Sequence, residues 1–185
     1  FLSIIIFIFT LQSWTKANDI YSFEIDNISI GDSLLDLFSK DLIEKNKADY
    51  YKDKTYSSIS FNSLTKEYDE IQVSWKTSDV NYKIVDVTGG VYQDDIELCY
   101  KKIDVVKNEL KSFFNLEPKK KISNPNPYGL YTYITFLFPS GDQVTVSCYD
   151  YEEKFDYIDT TIYIIGATTN SRIQVPIRLI RYVGT

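Results

Sequence analysis

Between residues 96 and 114 one side of the chain is apolar at every turn. Ile96, Cys99, Tyr100, Ile103, Val106, Leu110, Phe113 and Phe114 recur at 3.6-residue spacing, while Lys101, Lys102, Asp104, Lys107 and Lys111 occupy the other faces. Such a stripe predicts a helix over this stretch and demands a second layer to bury it. Asp94 is placed to cap the helix, with Glu97 three residues on completing a capping-box-like pair.

The flanking sequence is written for strands. Residues 56–61 (YSSISF), 68–76 (YDEIQVSWK) and 80–87 (VNYKIVDV) precede the helix, and Gly89-Gly90 then reads as a break in the ladder. After it, 118–129 (PKKKISNPNPYG) has three prolines and no periodicity and reads as an exposed connection. Residues 130–138 and 143–151 flank Pro139-Ser140-Gly141-Asp142, a hairpin signal, and 160–167 and 172–182 supply two more strands, the last with Pro176 at an edge or bulge. Sixteen tyrosines agree with this, because tyrosine suits a pleated, half-buried surface. Trp75 is expected to be a core or half-buried residue of such a sheet rather than a binding platform.

Near the N-terminus, 23–30 (FEIDNISI) reads as a first strand. Leu34, Leu37, Phe38, Leu42 and Ile43 fall at helical spacing after it, the helix fading at Asn46-Lys47. The expected fold class is therefore α+β: two helices packed on a predominantly antiparallel sheet. A helix followed by strands occurs twice, over 32–88 and 94–182, without a residue-level repeat.

Leu2 to Leu11 is an almost unbroken apolar run, followed by Thr15-Lys16-Ala17. This is the pattern of a secretory signal peptide over residues 1–17, and the run is about half the ~20 apolar residues a membrane span needs. The mature chain is expected to start at Asn18 as one domain, 18–185, periplasmic or secreted, with no transmembrane segment. With no methionine in the sequence, the reading frame is expected to open upstream of Phe1. The formal charge of −6 becomes −7 once Lys16 is removed, a poor balance for nucleic acid. In an oxidising compartment Cys99, on the apolar helical stripe, and Cys148, at period two with Val144 and Val146, are expected to pair, the alternative being two buried thiols. For a eukaryotic source, Asn27-Ile28-Ser29 is a glycosylation acceptor.

Four motifs bear on chemistry. Gly31-Asp32-Ser33-Leu34, placed between a strand and a helix, has the letters of the first GDSL/SGNH hydrolase block. A serine there needs a histidine base, and the chain contains none. Ser33 is therefore read as a helix cap. Ser63-Leu64-Thr65-Lys66 has Ser-x-x-Lys spacing without the helix or companion elements of that chemistry. The acidic-aromatic segment Tyr149, Asp150, Tyr151, Glu152, Glu153, Phe155, Asp156, Tyr157 and Asp159 is where a calcium or glycan site is to be sought, although it lacks the order of an EF-hand loop. Arg172, Arg178 and Arg181, the only arginines, form a basic edge suited either to an acidic partner or to protecting a terminal strand. No cofactor or metal is expected, and the chain is expected to be a non-catalytic exported binding or scaffolding domain.

The segment Ile28–Ile43 (ISIGDSLLDLFSKDLI) resembles the strand-Gly-turn-helix opening of BamE/SmpA-type outer-membrane assembly lipoproteins and of β-lactamase-inhibitor-like domains. It departs from them in having no lipidation cysteine and no Gly-Pro signature after the first helix. More broadly the chain is similar to small uncharacterised exported proteins of AT-rich bacteria. The resemblance implies binding or scaffolding without catalysis, and the expected partner is another protein or an envelope component.

Overall fold

The computed structural model of the chain describes residues 19–48, 54–93, 95–122, 129–151 and 161–169. After a 3-10 turn at Ile20–Ser22 come a small ribbon of β1 (Glu24–Ile25) and β2 (Ile28–Ser29), a second 3-10 turn at Leu34–Asp36 and helix α1 (Lys40–Asn46). Strands β3 (Tyr56–Phe61), β4 (Glu70–Lys76) and β5 (Ile84–Gln93) follow, then helix α2 (Ile96–Phe114). The chain continues through β6 (Lys119–Ile122), β7 (Gly129–Leu137), β8 (Gln143–Tyr151) and β9 (Thr161–Thr168).

Strands β3 to β9 form one sheet in the order β3-β4-β5-β9-β8-β7-β6, each pair antiparallel, so the fold is α+β. Each half is a meander. The halves join where β9 returns to pair with β5 from Asp86↔Thr168 to Gln93↔Thr161.

Alternation along the strands gives the sheet two unlike faces. One face carries Ile59, Ile71, Val73, Val87, Ile165, Ala167, Val144, Val146, Cys148, Ile134 and Phe136, all buried. Helix α2 lies over it across β7, β8 and β9, while the ribbon packs on β5 and α1 on β3. The stripe of α2 is the seal: Cys99, Ile103, Leu110 and Phe114 are buried, and Ile96, Tyr100 and Val106 pack at its margin. At its C-terminal end Phe114 meets Phe138 edge-on at 4.9 Å and Phe23 and Phe136 at 5.6 and 6.1 Å, a geometry that adds to area burial. Asn115, left-handed at φ +55°, ends the helix there. Cys99 and Cys148 form a buried disulfide that fastens α2 to β8.

Several sequence expectations change in detail. The helix cap is Asp95, whose carboxylate accepts from the Glu97 amide at 2.8 Å, rather than Asp94, which lies outside the described residues. Phe113 falls off the buried stripe at 43% exposure. Residues 23–30 are two short strands around a tight turn, since Asp26 and Asn27 take φ +57° and +62° and fold the segment back on itself. The first helix is two pieces, because Ser39 turns extended and caps α1 separately, accepting from the Leu42 amide. Gly89-Gly90 does not break the ladder: β5 runs through both. A Cβ on Gly89 would lie 2.5 Å from the Tyr68 ring and 3.0 Å from Ile25, so glycine lets that ring and the ribbon settle against the sheet. The 118–129 connection contains β6, paired from Lys119↔Thr135 to Ile122↔Thr132. The Pro139–Asp142 hairpin forms as expected, with Gly141 at φ +91°. Residues 1–17 and 172–182, with Arg172, Arg178, Arg181 and Pro176, lie outside the described residues. Among those described, no helix is long and apolar enough to cross a membrane.

The disulfide spans 49 residues of sequence. Loop-closure entropy for a cross-link of that size gives a stabilisation of about 4 kcal/mol. Equilibrium urea unfolding of the oxidised chain against the Cys99→Ala/Cys148→Ala variant is expected to show a loss of that order. A change below about 1 kcal/mol would mean that packing alone holds the helix down.

Candidate functional site

The face of the sheet opposite α2 is built from small polar side chains. Successive rows across the strands read Ser58, Ser74, Asp86, Thr168 and Gln143, then Ser60, Gln72, Thr88, Gly166, Thr145 and Thr135. Hydroxyl pairs such as Ser58–Ser74 at 2.8 Å and Thr135–Thr145 at 3.2 Å stitch neighbouring strands. Gly166 leaves room for Thr88, whose Oγ1 would be 2.8 Å from an added Cβ.

Two carboxyls sit within this face. Asp86 is 4% exposed, and its burial pushes the carboxyl up to about 7 against the lowering effect of hydrogen bonds from Thr168 and Thr88. Burial also raises the carboxyl of Glu70, against the Ser60 hydroxyl and that of Tyr92, which donates at 3.1 Å. Gln72, fully buried between them, makes no side-chain hydrogen bond among the described residues. The register sets Glu70 opposite Gly90, four residues along β5 from Asp86. Their Cα atoms are thus about 14 Å apart.

At the β7–β8 end the same face changes character. Tyr131 lies directly opposite Tyr149, and their rings stack with centroids 5.0 Å apart and planes 7° from parallel. Tyr133, two residues along, stacks on Tyr131 at 5.1 Å and 11°. All three are half-buried. Burial raises the Tyr131 hydroxyl above its ordinary value, with the charge and hydrogen bond of Tyr133 adding to it. Because Tyr131 stacks on both neighbours, much of its ring face is occupied inside the array, and its ring edge and hydroxyl are what it offers a partner.

The expected ligand segment begins at this array. Tyr149 belongs to it, Asp150 is exposed beside it and Tyr151 ends β8; Glu152, Glu153, Asp156 and Asp159 lie outside the described residues. Among the described residues no cluster of His, Cys, Asp or Glu suits a metal ion. The array was only partly legible in the sequence. Tyr131-Thr132-Tyr133 alternates, which places both tyrosines on one face, but their approach to Tyr149 depends on strand register. Asp86, Glu70 and Gln72 carried no sequence signal beyond polar letters in strand patterns.

The two serine motifs resolve into local structure. Ser33 caps the 3-10 turn by accepting from the Leu35 amide at 3.2 Å and donates to the Asn81 carbonyl at 2.7 Å. Ser63 donates to Asp26 at 2.8 Å, as the first of a set that includes the amides of Leu64 and Thr65 and the Thr65 hydroxyl. Burial raises the Asp26 carboxyl, but these hydrogen bonds together outweigh it and hold the group below its ordinary value. The Ser-x-x-Lys spacing thus belongs to a loop that wraps a buried carboxylate. No protein-family model, curated protein or solved structure matches the chain.

Asp86 gives the stability a definite pH dependence. Its folded value, about 7, exceeds the ordinary 3.8, so between these pH values the folded state keeps a proton that the unfolded chain has released. Stability from this group is full below about pH 4 and falls as pH rises to about 7, by up to about 4 kcal/mol. Asp86→Asn removes the titration. The variant and the parent are expected to have similar urea midpoints at pH 4, with the variant more stable at pH 8 by on the order of 3 kcal/mol. Parallel pH profiles would show that Asp86 does not titrate in this window.

Proposed function

We propose that this chain is an exported, non-catalytic binding domain that contacts a protein partner through the outer face of its sheet at the β7–β8 end. The observation that carries this reading is the stacked array of Tyr131, Tyr133 and Tyr149. Ordered tyrosines lose little further side-chain freedom on binding, and they combine apolar edge with a hydroxyl that suits the mixed chemistry of a protein surface.

Export is supported by the apolar run Leu2–Leu11 before Thr15-Lys16-Ala17 and by the buried disulfide, a bond suited to oxidising compartments. The non-catalytic reading rests on the absence of histidine and on backbone partners at both hydrogen bonds of Ser33.

Affinity capture with the disulfide-bonded chain, from the envelope or secretory fraction of its source cells, tests the reading. The parent and a Tyr131→Ser/Tyr149→Ser variant of matched thermal stability are compared side by side. At least one protein is expected to be retained by the parent and reduced tenfold or more with the variant. Equal recovery on both baits would place the contact elsewhere.

A further inference from the structure

We propose that Asn27 is an N-glycosylation site that carries a single glycan on the helix-side layer, opposite the tyrosine array. The inference rests on the export reading above and on a eukaryotic source, whose secretory lumen holds the transferase. Asn27-Ile28-Ser29 is the one Asn-x-Ser/Thr triplet without proline in the sequence. It occupies the turn between β1 and β2, where Asp26 and Asn27 both take left-handed backbone angles, φ +57° and +62°. A two-residue turn of this kind favours Asn, Asp or Gly, so the backbone alone accounts for the choice at position 27 but not for a hydroxyl two residues later.

The rest of the turn is occupied by packing and hydrogen bonding. Ile25 and Ile28 are buried, and Asp26 is held by Ser63, Leu64 and Thr65. Asn27, by contrast, is exposed, and neither its amide group nor the Ser29 hydroxyl makes a hydrogen bond among the described residues. Those are the two groups that an oligosaccharyl transferase reads. The fold places the acceptor nitrogen at the apex of a ribbon packed on β5, where a bulky glycan disturbs no core side chain.

The donor is a polyprenyl-pyrophosphate-linked oligosaccharide, met by the chain as it enters the lumen. The Asn27 Nδ2 forms a bond to C1 of the reducing-end sugar, and the C1–O bond to pyrophosphate breaks. Its electron pair leaves with the lipid pyrophosphate, and the amide proton passes to a base of the transferase. The ribbon lies over the face of the sheet that α2 covers, so the glycan shields that layer and leaves Tyr131, Tyr133 and Tyr149 accessible.

Native protein from its source cells, deglycosylated with peptide N-glycosidase in ¹⁸O-water, tests the site by mass spectrometry of the Asn27 peptide, with Cys99 and Cys148 scored for alkylation. The expected result is conversion of Asn27 to ¹⁸O-labelled Asp in disulfide-bonded protein. In the tagged full chain, a single-glycan mobility shift is expected to be lost on Asn27→Gln and equally on Ser29→Ala, which keeps both turn residues. Unmodified Asn27 in disulfide-bonded protein would overturn the site and leave export standing. Unmodified Asn27 with both cysteines reduced would overturn the two together.

Discussion

The fold depends on the burial of the α2 stripe against the sheet. An isolated helix of this length is marginal in water, and the sheet beneath it presents Val144, Val146, Ile134, Phe136, Ile165 and Ala167 that have no place in solvent. Neither layer is satisfactory alone. Phe114 gathers Phe23, Phe136 and Phe138 at one end of the helix, and the Cys99–Cys148 bond fixes the other end to β8. The two attachments lie about four turns apart along the axis, so between them they set the helix's direction as well as its contact.

That arrangement makes the two faces of the sheet unlike. The helix-side face is completed by a hydrophobic layer, in which the N-terminal ribbon and α1 extend the cover from α2 to β5 and β3. Small deviations serve the same closure, as where Gly89 admits Tyr68 and Ile25 against β5. The opposite face is polar although its central side chains are buried as well. It carries hydroxyl pairs, a buried glutamine, two carboxyls raised by burial and a tyrosine array, features that add little to packing and constrain what can bind.

The carboxyls also show how one residue type takes opposite roles in one domain. Asp26 and Asp86 are both buried, at 4% exposure each. Asp26 is ringed by amides and hydroxyls from 63–65 and stays ionised, acting as the post around which that loop is wound. Asp86 has fewer donors and holds its proton to about pH 7. Deep burial with few donors raises Asp86, whereas the ring of donors outweighs burial at Asp26.

The amphipathic period of 96–114, the strand alternation of 56–61 and 143–151, the Pro139–Asp142 turn and the inward aim of both cysteines were legible in the sequence, because each is fixed by local periodicity or turn chemistry. So was the cap at Ser33. What local rules left open was set by pairing between distant strands. Register alone brings Tyr149 onto Tyr131, sets Asp86 beside Thr168 and keeps Glu70 far from Asp86, and strand partners rather than propensity carry β5 through two glycines and make a strand of 119–122. Local periodicity fixes which faces are apolar; pairing across the sheet fixes which polar and aromatic side chains meet, because those meetings are contacts between segments that the chain separates by tens of residues.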